Sequence, residues 1–165
     1  MSFFTSNNTI SANSVDSYIT VSGETVVTVS DRVKFESQIV AYEIDPCNSD
    51  NIALVTRANA SDYSRGSKKG LVLVLNKNIQ KGTYSVTDQN FPFIRPYYFE
   101  TGTRPGSVHS YEYYAKSGTF TVELAEVSSE KLHYKFSFDF KGVDKRNREL
   151  NIKGVSNFLV LVDFE

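Results

Sequence analysis

The chain is poor in the residues that most metal and redox sites need. Its 165 residues include one cysteine, two histidines, one methionine and no tryptophan. Cys47 stands alone and cannot form an internal disulfide, so the fold has to be stabilised by its core. Two histidines and one cysteine also argue against a structural zinc site, which is built from several such ligands. We therefore expect no metal site and no other cofactor.

An excess of one charge and long apolar runs are missing as well. The formal net charge is −1, so the molecule as a whole has no field that would attract nucleic acid or an anionic membrane. Basic side chains do gather between residues 141 and 148, but Asp144 and Glu149 partly neutralise them. No apolar run reaches the ~18 residues of a membrane helix. We expect no nucleic-acid partner and no membrane span.

The start of the chain lacks the marks of a secretory signal. It has no basic stretch followed by an apolar run of about 7 to 15 residues. The sequence as it stands predicts a cytoplasmic protein, or a secreted one if a leader has been removed. Residues 1–14 are rich in Ser, Asn and Thr, and we expect them to form a loosely ordered leader or one short strand on a sheet edge. Residues 15–165 are predicted to form a single domain.

Aromatic and β-branched residues are what the chain has in abundance, with 10 tyrosines and 12 phenylalanines. They alternate with polar residues most strictly between residues 132 and 140. The apolar and aromatic residues at every second position are Leu132, Tyr134, Phe136, Phe138 and Phe140, and the residues between them are polar or charged. A period of two indicates a β-strand with one buried face. A second alternating segment, residues 118–127, precedes it across a polar connection and predicts a hairpin partner.

The whole chain favours an all-β fold. About ten short strands, separated by turn-forming residues and without a convincing amphipathic helix, predict an antiparallel two-sheet β-sandwich. A flattened β-barrel is the alternative. The segment Leu71–Leu75 is apolar on both faces, which indicates a central strand covered on both sides or a strand whose outer face meets a partner.

Four short motifs occur in order along the chain: Gly82-Thr83-Tyr84, the segment 117–122, the segment 136–140 and a final strand at 154–159. This series resembles small β-sandwich domains of uncharacterised lipoproteins from the Bacteroides lineage, and the likeness extends over residues 18–162. The resemblance implies a β-sandwich and transfers no catalytic residue, because the role of that group is undefined. The chain departs from the group in having no leader and no lipid-accepting cysteine, since Cys47 lies too deep in the chain to substitute.

The sequence offers little for catalysis or metal binding. His109 with Ser107, or His133 with a distant serine, would need an orienting carboxylate, and neither lies in a nucleophile signature such as G-x-S-x-G. We interpret both histidines as surface residues and predict that the chain is not an enzyme. The Asx-rich segment 45–51 gathers oxygen atoms that could hold calcium, but such turns also form without metal.

The strongest functional signal is aromatic. Residues 91–99 are dense in rings and broken by prolines, and further tyrosines follow at 111–114. Tyrosine rings near loop ends can stack on sugars, bind a peptide or contact a second subunit. Neighbours such as Tyr97 and Tyr98 must point to opposite faces of a strand, so one of each pair is expected outside the core or over an edge. The predicted ligand-binding residues are Arg95, Tyr97, Tyr98, Arg104, Tyr111, Tyr113 and Tyr114.

Three functions therefore remain open at this point. The first is a non-catalytic binding domain that recognises a carbohydrate or a protein through a tyrosine-rich surface. The second is a structural subunit that self-associates into a homo-oligomer through the same surface and the 71–75 strand. The third is a hydrolase on a β scaffold, for which no paired carboxylates or triad stand out.

Overall fold

A computed structural model of the chain describes residues 17–59, 68–104 and 107–164, which form ten β-strands and no helix. The strands are β1 (Ser17–Val29), β2 (Phe35–Glu36), β3 (Ile39–Asp45), β4 (Asn48–Asn59), β5 (Lys68–Asn76), β6 (Gly82–Ser85), β7 (Tyr97–Arg104), β8 (Ser107–Val127), β9 (Lys131–Val143) and β10 (Glu149–Phe164). The predicted leader, residues 1–14, lies outside the described residues. No helical segment within those ranges has the length and hydrophobicity that a bilayer crossing requires.

The strands form one antiparallel sheet in the order β2-β1-β10-β9-β8-β7-β5-β4-β3, and β6 pairs with β8 beside this path. The predicted all-β antiparallel class is therefore confirmed. We expected two sheets, but a single continuous sheet is seen because β7 pairs with β5 on one side and with β8 on the other. Over the described residues the sheet is not closed into a barrel.

One face of this sheet surrounds a shared core. Phe93 from the segment before β7 contacts Phe136 of β9 with ring centroids 5.6 Å apart. The Tyr134 hydroxyl donates to the carbonyl oxygen of Lys77, just beyond β5, over 2.6 Å. These contacts join strands that are far apart in the sheet order, so the sheet bends until its two halves face each other.

Strand β9 has the alternation that the sequence predicts. Its side chains at 132, 134, 136, 138 and 140 are all buried, while those at 135 and 139 are exposed. The rings of Phe120, Phe138 and Phe140 pack together with centroids 5.1 to 6.0 Å apart. Gly154 on the neighbouring β10 leaves room for Phe138, whose ring would lie 2.9 Å from an added Cβ.

Strand β8 has 21 residues and is longer than the predicted segment 118–127, which forms its second half. It pairs with β7 over residues 107–114 and with β6 over residues 119–122, and its pairing with β9 shifts register between Ala115 and Ser117. Gly118 follows this shift with φ of 112°, in the region that favours glycine, and an added Cβ would overlap the carbonyl of Asp139. Residues 101–104 pair with residues 107–110 at the end of the β7–β8 hairpin.

Strand β5 is apolar on both faces, as the sequence indicates. Leu71, Leu73 and Leu75 join the main core, while Val72 belongs to a second buried cluster with Ala53 and Val55 of β4. Because successive side chains of a strand alternate, this second cluster lies on the opposite face of the sheet. We call this side of β3, β4, β5, β7 and β8 the outer face.

Candidate functional site

The predicted tyrosines are divided between the two faces of the sheet. In the β7–β8 hairpin Tyr97 lies opposite Tyr114, and Tyr98 lies opposite Tyr113. Tyr98 and Tyr113 are 0% and 1% exposed and belong to the main core, whereas Tyr97 packs on the second cluster. The expected single surface of five tyrosines is therefore wrong for Tyr98 and Tyr113. The physical reason is strand alternation, which sends one member of each neighbouring pair inward.

The hydroxyl groups of the two inward tyrosines, Tyr98 and Tyr113, both bond one carboxylate. The Tyr98 hydroxyl donates to Oε2 of Glu100 over 3.2 Å, and the Tyr113 hydroxyl donates to Oε1 over 3.4 Å. Arg32, from the turn after β1, completes the group through Nε at 3.0 Å from Oε2 and Nη2 at 3.0 Å from Oε1. Glu100 thus accepts bonds from β7, from β8 and from the turn after β1, and it ties that turn to the β7–β8 hairpin.

This arrangement suppresses ionisation of the two phenols. Burial is the main cause that raises the pKa of Tyr98, and the charge of Glu100 adds to it. The pKa of Tyr113 is raised for the same two reasons, in the same order. The hydrogen bond to Glu100 raises the pKa of the Arg32 guanidinium. Both phenols therefore remain neutral hydrogen-bond donors, and the cluster is structural. Sequence reasoning missed Arg32 and Glu100 because nothing local links residues 68 positions apart.

The remaining predicted residues lie in other places. Tyr111 packs against the main core, and the Arg148 guanidinium lies 4.4 Å from its ring centroid. Arg148 also bonds Asp144. Arg104 ends β7, and its side chain lies outside the part of the chain that the structure describes. The structure therefore brings together Arg95, Tyr97 and Tyr114 from the predicted set.

These three residues form a compact aromatic group on the outer face. The Tyr97 and Tyr114 rings have centroids 5.0 Å apart, and the Arg95 guanidinium lies 4.6 Å from the centroid of Tyr114. The Tyr114 hydroxyl donates to Glu112 over 2.7 Å. Burial, with this hydrogen bond second, raises the pKa of Tyr114 to about 12. Burial also raises the pKa of Tyr97.

Small apolar side chains extend this group across the sheet. Ala53, Val55 and Val72 form a fully buried floor, against which Tyr97 and Phe99 pack. At the margins the side chains of Ile39 and Ile94 are 59% and 47% exposed. We name this surface the outer aromatic patch, and it consists of Ile39, Ala41, Ala53, Val55, Val72, Val74, Ile94, Arg95, Tyr97, Phe99 and Tyr114. Sequence reasoning had found its two halves, the tyrosines and β5, as separate features.

The candidate catalytic groups lie at two separate places in the described residues. Ser107 Oγ lies 2.9 Å from Nε2 of His109, and both residues are exposed. His133 contacts Asn157 through Nε2 at 2.9 Å and lies 3.7 Å from the exposed Glu126. His109 also lines an open pocket of about 250 Å³ with Ser110, Glu112 and Asp144, but the Asp144 carboxylate is bonded by Arg146 and Arg148. The absence of catalysis stays a prediction.

The Asx-rich segment 45–51 forms the turn between β3 and β4. Asp45 Oδ1 accepts a bond from the backbone N–H of Cys47 over 2.9 Å, and Asn48 Oδ1 accepts one from Asp50 over 3.1 Å. The Asp50 carboxylate pairs with Lys77 at 3.0 Å. These oxygens are used in turn bonds and an ion pair, which is the ordinary role of Asx residues in turns.

A separate concavity lies on another part of the sheet and was not expected. It has a volume of about 540 Å³ on the outer side of β1, β8, β9 and β10. Its lining includes the hydroxyl groups of Thr28, Thr119, Thr121 and Ser137 and the ion pair between Lys153 and Asp139 at 3.2 Å. None of the tyrosines lines it, so this trough is separate from the outer aromatic patch.

No protein-family model matches the chain, and comparisons with curated proteins and with solved structures find no match either. The resemblance to the Bacteroides lipoprotein domains therefore stays a prediction. Any functional assignment rests on the geometry of the molecule itself.

Proposed function

We propose that the chain is a non-catalytic binding module and that its outer aromatic patch recognises another protein. One observation carries the proposal: the half-buried rings of Tyr97, Phe99 and Tyr114 lie together on the outer face, above a floor of small apolar side chains. The outer side of an antiparallel sheet that meets only water alternates to polar residues. The apolar composition of this outer face is what a contact surface needs.

The kind of residue in the patch favours a protein over a carbohydrate. Tyrosine, phenylalanine and arginine are enriched at protein interfaces, and tyrosine and arginine often dominate the binding energy. Sugar stacking needs an aromatic ring with an open face. Arg95 already covers the Tyr114 ring. The Tyr97 ring packs against Tyr114 and against Phe99, and its centroid lies 6.5 Å from that of Phe99. The exposed Ile39 and Ile94 add apolar contact area that a sugar would use little.

The test starts by identifying a partner and then measures its affinity. The immobilised chain is incubated with an extract of its source organism, retained proteins are identified by mass spectrometry, and one is purified for calorimetry. We expect Tyr97→Ala and Ile94→Asp each to weaken its binding about tenfold or more, because central aromatic and rim contacts are both lost.

Val127→Asp is the matched control for Ile94→Asp, because Val127 is 40% exposed on β8 and lies outside the patch. It should bind as tightly as the wild-type chain. Equal binding by the wild type and both patch variants would overturn the proposal. So would a glycan panel that binds the wild type and loses binding in Tyr97→Ala, since the ligand class would then be carbohydrate.

A further inference from the structure

A buried ammonium group lies at the end of the inward row of β5. Lys69 is only 8% exposed, although lysine is seldom buried without a charged partner. It lies on the same side of the strand as Leu71, Leu73 and Leu75, which belong to the main core. Its Nζ donates to the carbonyl oxygen of Val33 over 3.1 Å, and within the described residues this is its one hydrogen bond. Two of the three ammonium donors are therefore left over.

Two carboxylates near Lys69 are already bonded to other groups. Glu100 lies directly opposite Lys69 in the β5–β7 pairing, but its carboxylate binds the guanidinium of Arg32. Glu36 pairs with Lys34 at 3.4 Å. Among the described residues, no carboxylate lies within ion-pair distance of the Lys69 ammonium. Because a buried charge is costly without a counter-charge, the missing partner points to a bound anion.

An open pocket of about 330 Å³ gives a ligand access to this lysine. It lies between the turn after β1 and the β7–β8 hairpin, and Lys69, Gly102 and Tyr111 are among its lining residues. A Cβ added to Gly102 would meet no atom within 4 Å, so the space beside this residue is empty. The Tyr111 hydroxyl makes no hydrogen bond within the described residues and can bind a ligand oxygen.

The charges around the pocket favour an anion with a single negative charge. The lining holds three cationic side chains and two carboxylates, from Arg32, Lys68, Lys69, Asp31 and Glu100. One positive charge is therefore in excess. A carboxylate matches this excess, whereas the second charge of a phosphate dianion would be repelled by the two carboxylates. Val33 and the ring of Tyr111 add apolar surface to the lining.

We propose that this pocket binds a small carboxylic acid, whose carboxylate pairs with the Lys69 ammonium and whose apolar part contacts Val33 and Tyr111. The volume of about 330 Å³ is within the range of small-molecule sites. Lys69 and Val72 of β5 lie on opposite faces of the sheet, so the pocket is separate from the outer aromatic patch. The inference does not rest on the protein-binding function proposed above.

The experiment titrates the full, isotope-labelled chain at neutral pH with acetate, benzoate and phosphate and follows the amide signals by nuclear magnetic resonance. Chloride keeps the ionic strength constant, and benzamide is the uncharged counterpart of benzoate. We expect acetate and benzoate to shift the signals of Val33, Lys69 and Gly102 in a saturable way. Benzoate should bind more tightly than acetate, because its ring buries apolar surface. Benzamide and phosphate should bind more weakly than benzoate.

Lys69→Met keeps the length of the side chain and removes its charge, and it should weaken benzoate binding about tenfold or more. Gly102→Val should do the same by occupying the empty space, without a clash that would disturb the fold. Lys116→Met is the matched control, because Lys116 is an exposed lysine of β8 outside the pocket, and it should bind benzoate as the wild type does.

Thermal unfolding gives a second measurement that a merely structural lysine would not produce. Benzoate should raise the unfolding temperature of the wild type and of Lys116→Met by mass action, and it should leave that of Lys69→Met unchanged. If Lys69→Met does not fold, the comparison of Gly102→Val with the wild type still decides the question.

Three results would overturn this inference. They are carboxylates that shift none of the three amide signals, benzamide or phosphate that binds as tightly as benzoate, and benzoate binding that Lys69→Met and Gly102→Val leave unchanged. Partner binding by the outer aromatic patch uses the other face of the sheet, so loss of either result leaves the other intact.

Discussion

Glu100 shows how a charged side chain can lie beside an aromatic core. Its carboxylate has one arginine and two tyrosine hydroxyls as partners, and its side chain is 20% exposed. Partnered in this way, the charge costs little, and the bonds orient Tyr98 and Tyr113. Removing the carboxylate would leave the arginine and both hydroxyls without their acceptor.

We expect Glu100→Ala to lower the free energy of unfolding by about 2 kcal/mol, because buried donors lose their partner. Urea denaturation followed by circular dichroism measures this change. Glu130→Ala, at an exposed position in the β8–β9 turn, is the control and should change stability little. An equal effect of the two substitutions would show that the Glu100 cluster contributes nothing to stability.

Asp144 offers a test at acid pH. Burial alone would raise the pKa of its carboxyl, but bonds from the backbone N–H groups of Arg148 and Arg146 and from the Arg148 guanidinium outweigh this and lower it. A lowered folded-state pKa adds stability that is present above the ordinary value of 3.8 and is lost as the pH falls through the lowered value.

Asp144→Asn should therefore destabilise the protein by about 1 kcal/mol at neutral pH, through lost charge-assisted bonds. The difference between variant and wild type should shrink as the pH falls below 3.8. Urea midpoints measured across the acid range test this. A difference that is independent of pH would contradict the role given to the carboxylate.

At the scale of the element, β9 is the strand on which the core depends. Its inward row packs against Phe120 on one side and against residues of β10, such as Phe158, on the other. The strand lies near the middle of the sheet, so both of its edges are paired. Its outward row carries charges that form ion pairs with neighbouring strands, such as Lys135 with Glu123 at 2.9 Å.

We expect Phe136→Ala to cost about 3 to 5 kcal/mol, because it opens a cavity in a fully buried site. Lys135→Ala on the same strand should cost under about 1 kcal/mol, since a surface ion pair contributes little. Thermal unfolding of both variants gives the comparison. Equal melting temperatures of the two variants would contradict the difference in burial between the two faces of β9.

At the scale of the whole molecule, the number of buried phenols controls behaviour at alkaline pH. Burial is the leading cause that raises the pKa of Tyr42, Tyr97, Tyr98, Tyr113 and Tyr134. A raised folded-state pKa stabilises the folded form below the ordinary phenol value of 10.0, and this stability is lost as the pH rises above it. The molecule should thus unfold at alkaline pH through its core.

Urea midpoints should therefore fall steeply above pH 10, and tyrosinate absorbance should rise together with unfolding. Tyr134→Phe removes one buried phenol and its bond to the Lys77 carbonyl. It should cost about 1 kcal/mol at neutral pH and make the alkaline decline shallower. Tyrosinate absorbance that rises fully before the native circular dichroism is lost would contradict this coupling.

The local sequence pattern was sufficient to predict the fold class and the buried row of β9. The alternation in β9 depends only on the period of a strand, so the buried row and the all-β class followed from neighbouring residues alone. The same period implied that Tyr97 and Tyr98 face opposite ways. It could not say which of the two faces the core, since that depends on which side of the sheet is closed by distant strands.

The sequence by itself determined which residues alternate, which class of fold results, and that the single cysteine cannot form an internal disulfide. Tertiary structure alone decided that the strands join into one bent sheet, that Arg32 reaches Glu100, and that β5 contributes Val72 to the same outer face as Tyr97 and Tyr114. It also decided that β1 pairs with β10 along its whole length and with β2 at only two residues. The physical reason is that strand alternation is a property of a few consecutive residues. Sheet order, curvature and cross-strand contacts depend instead on pairings between residues far apart in the chain, which no local pattern encodes.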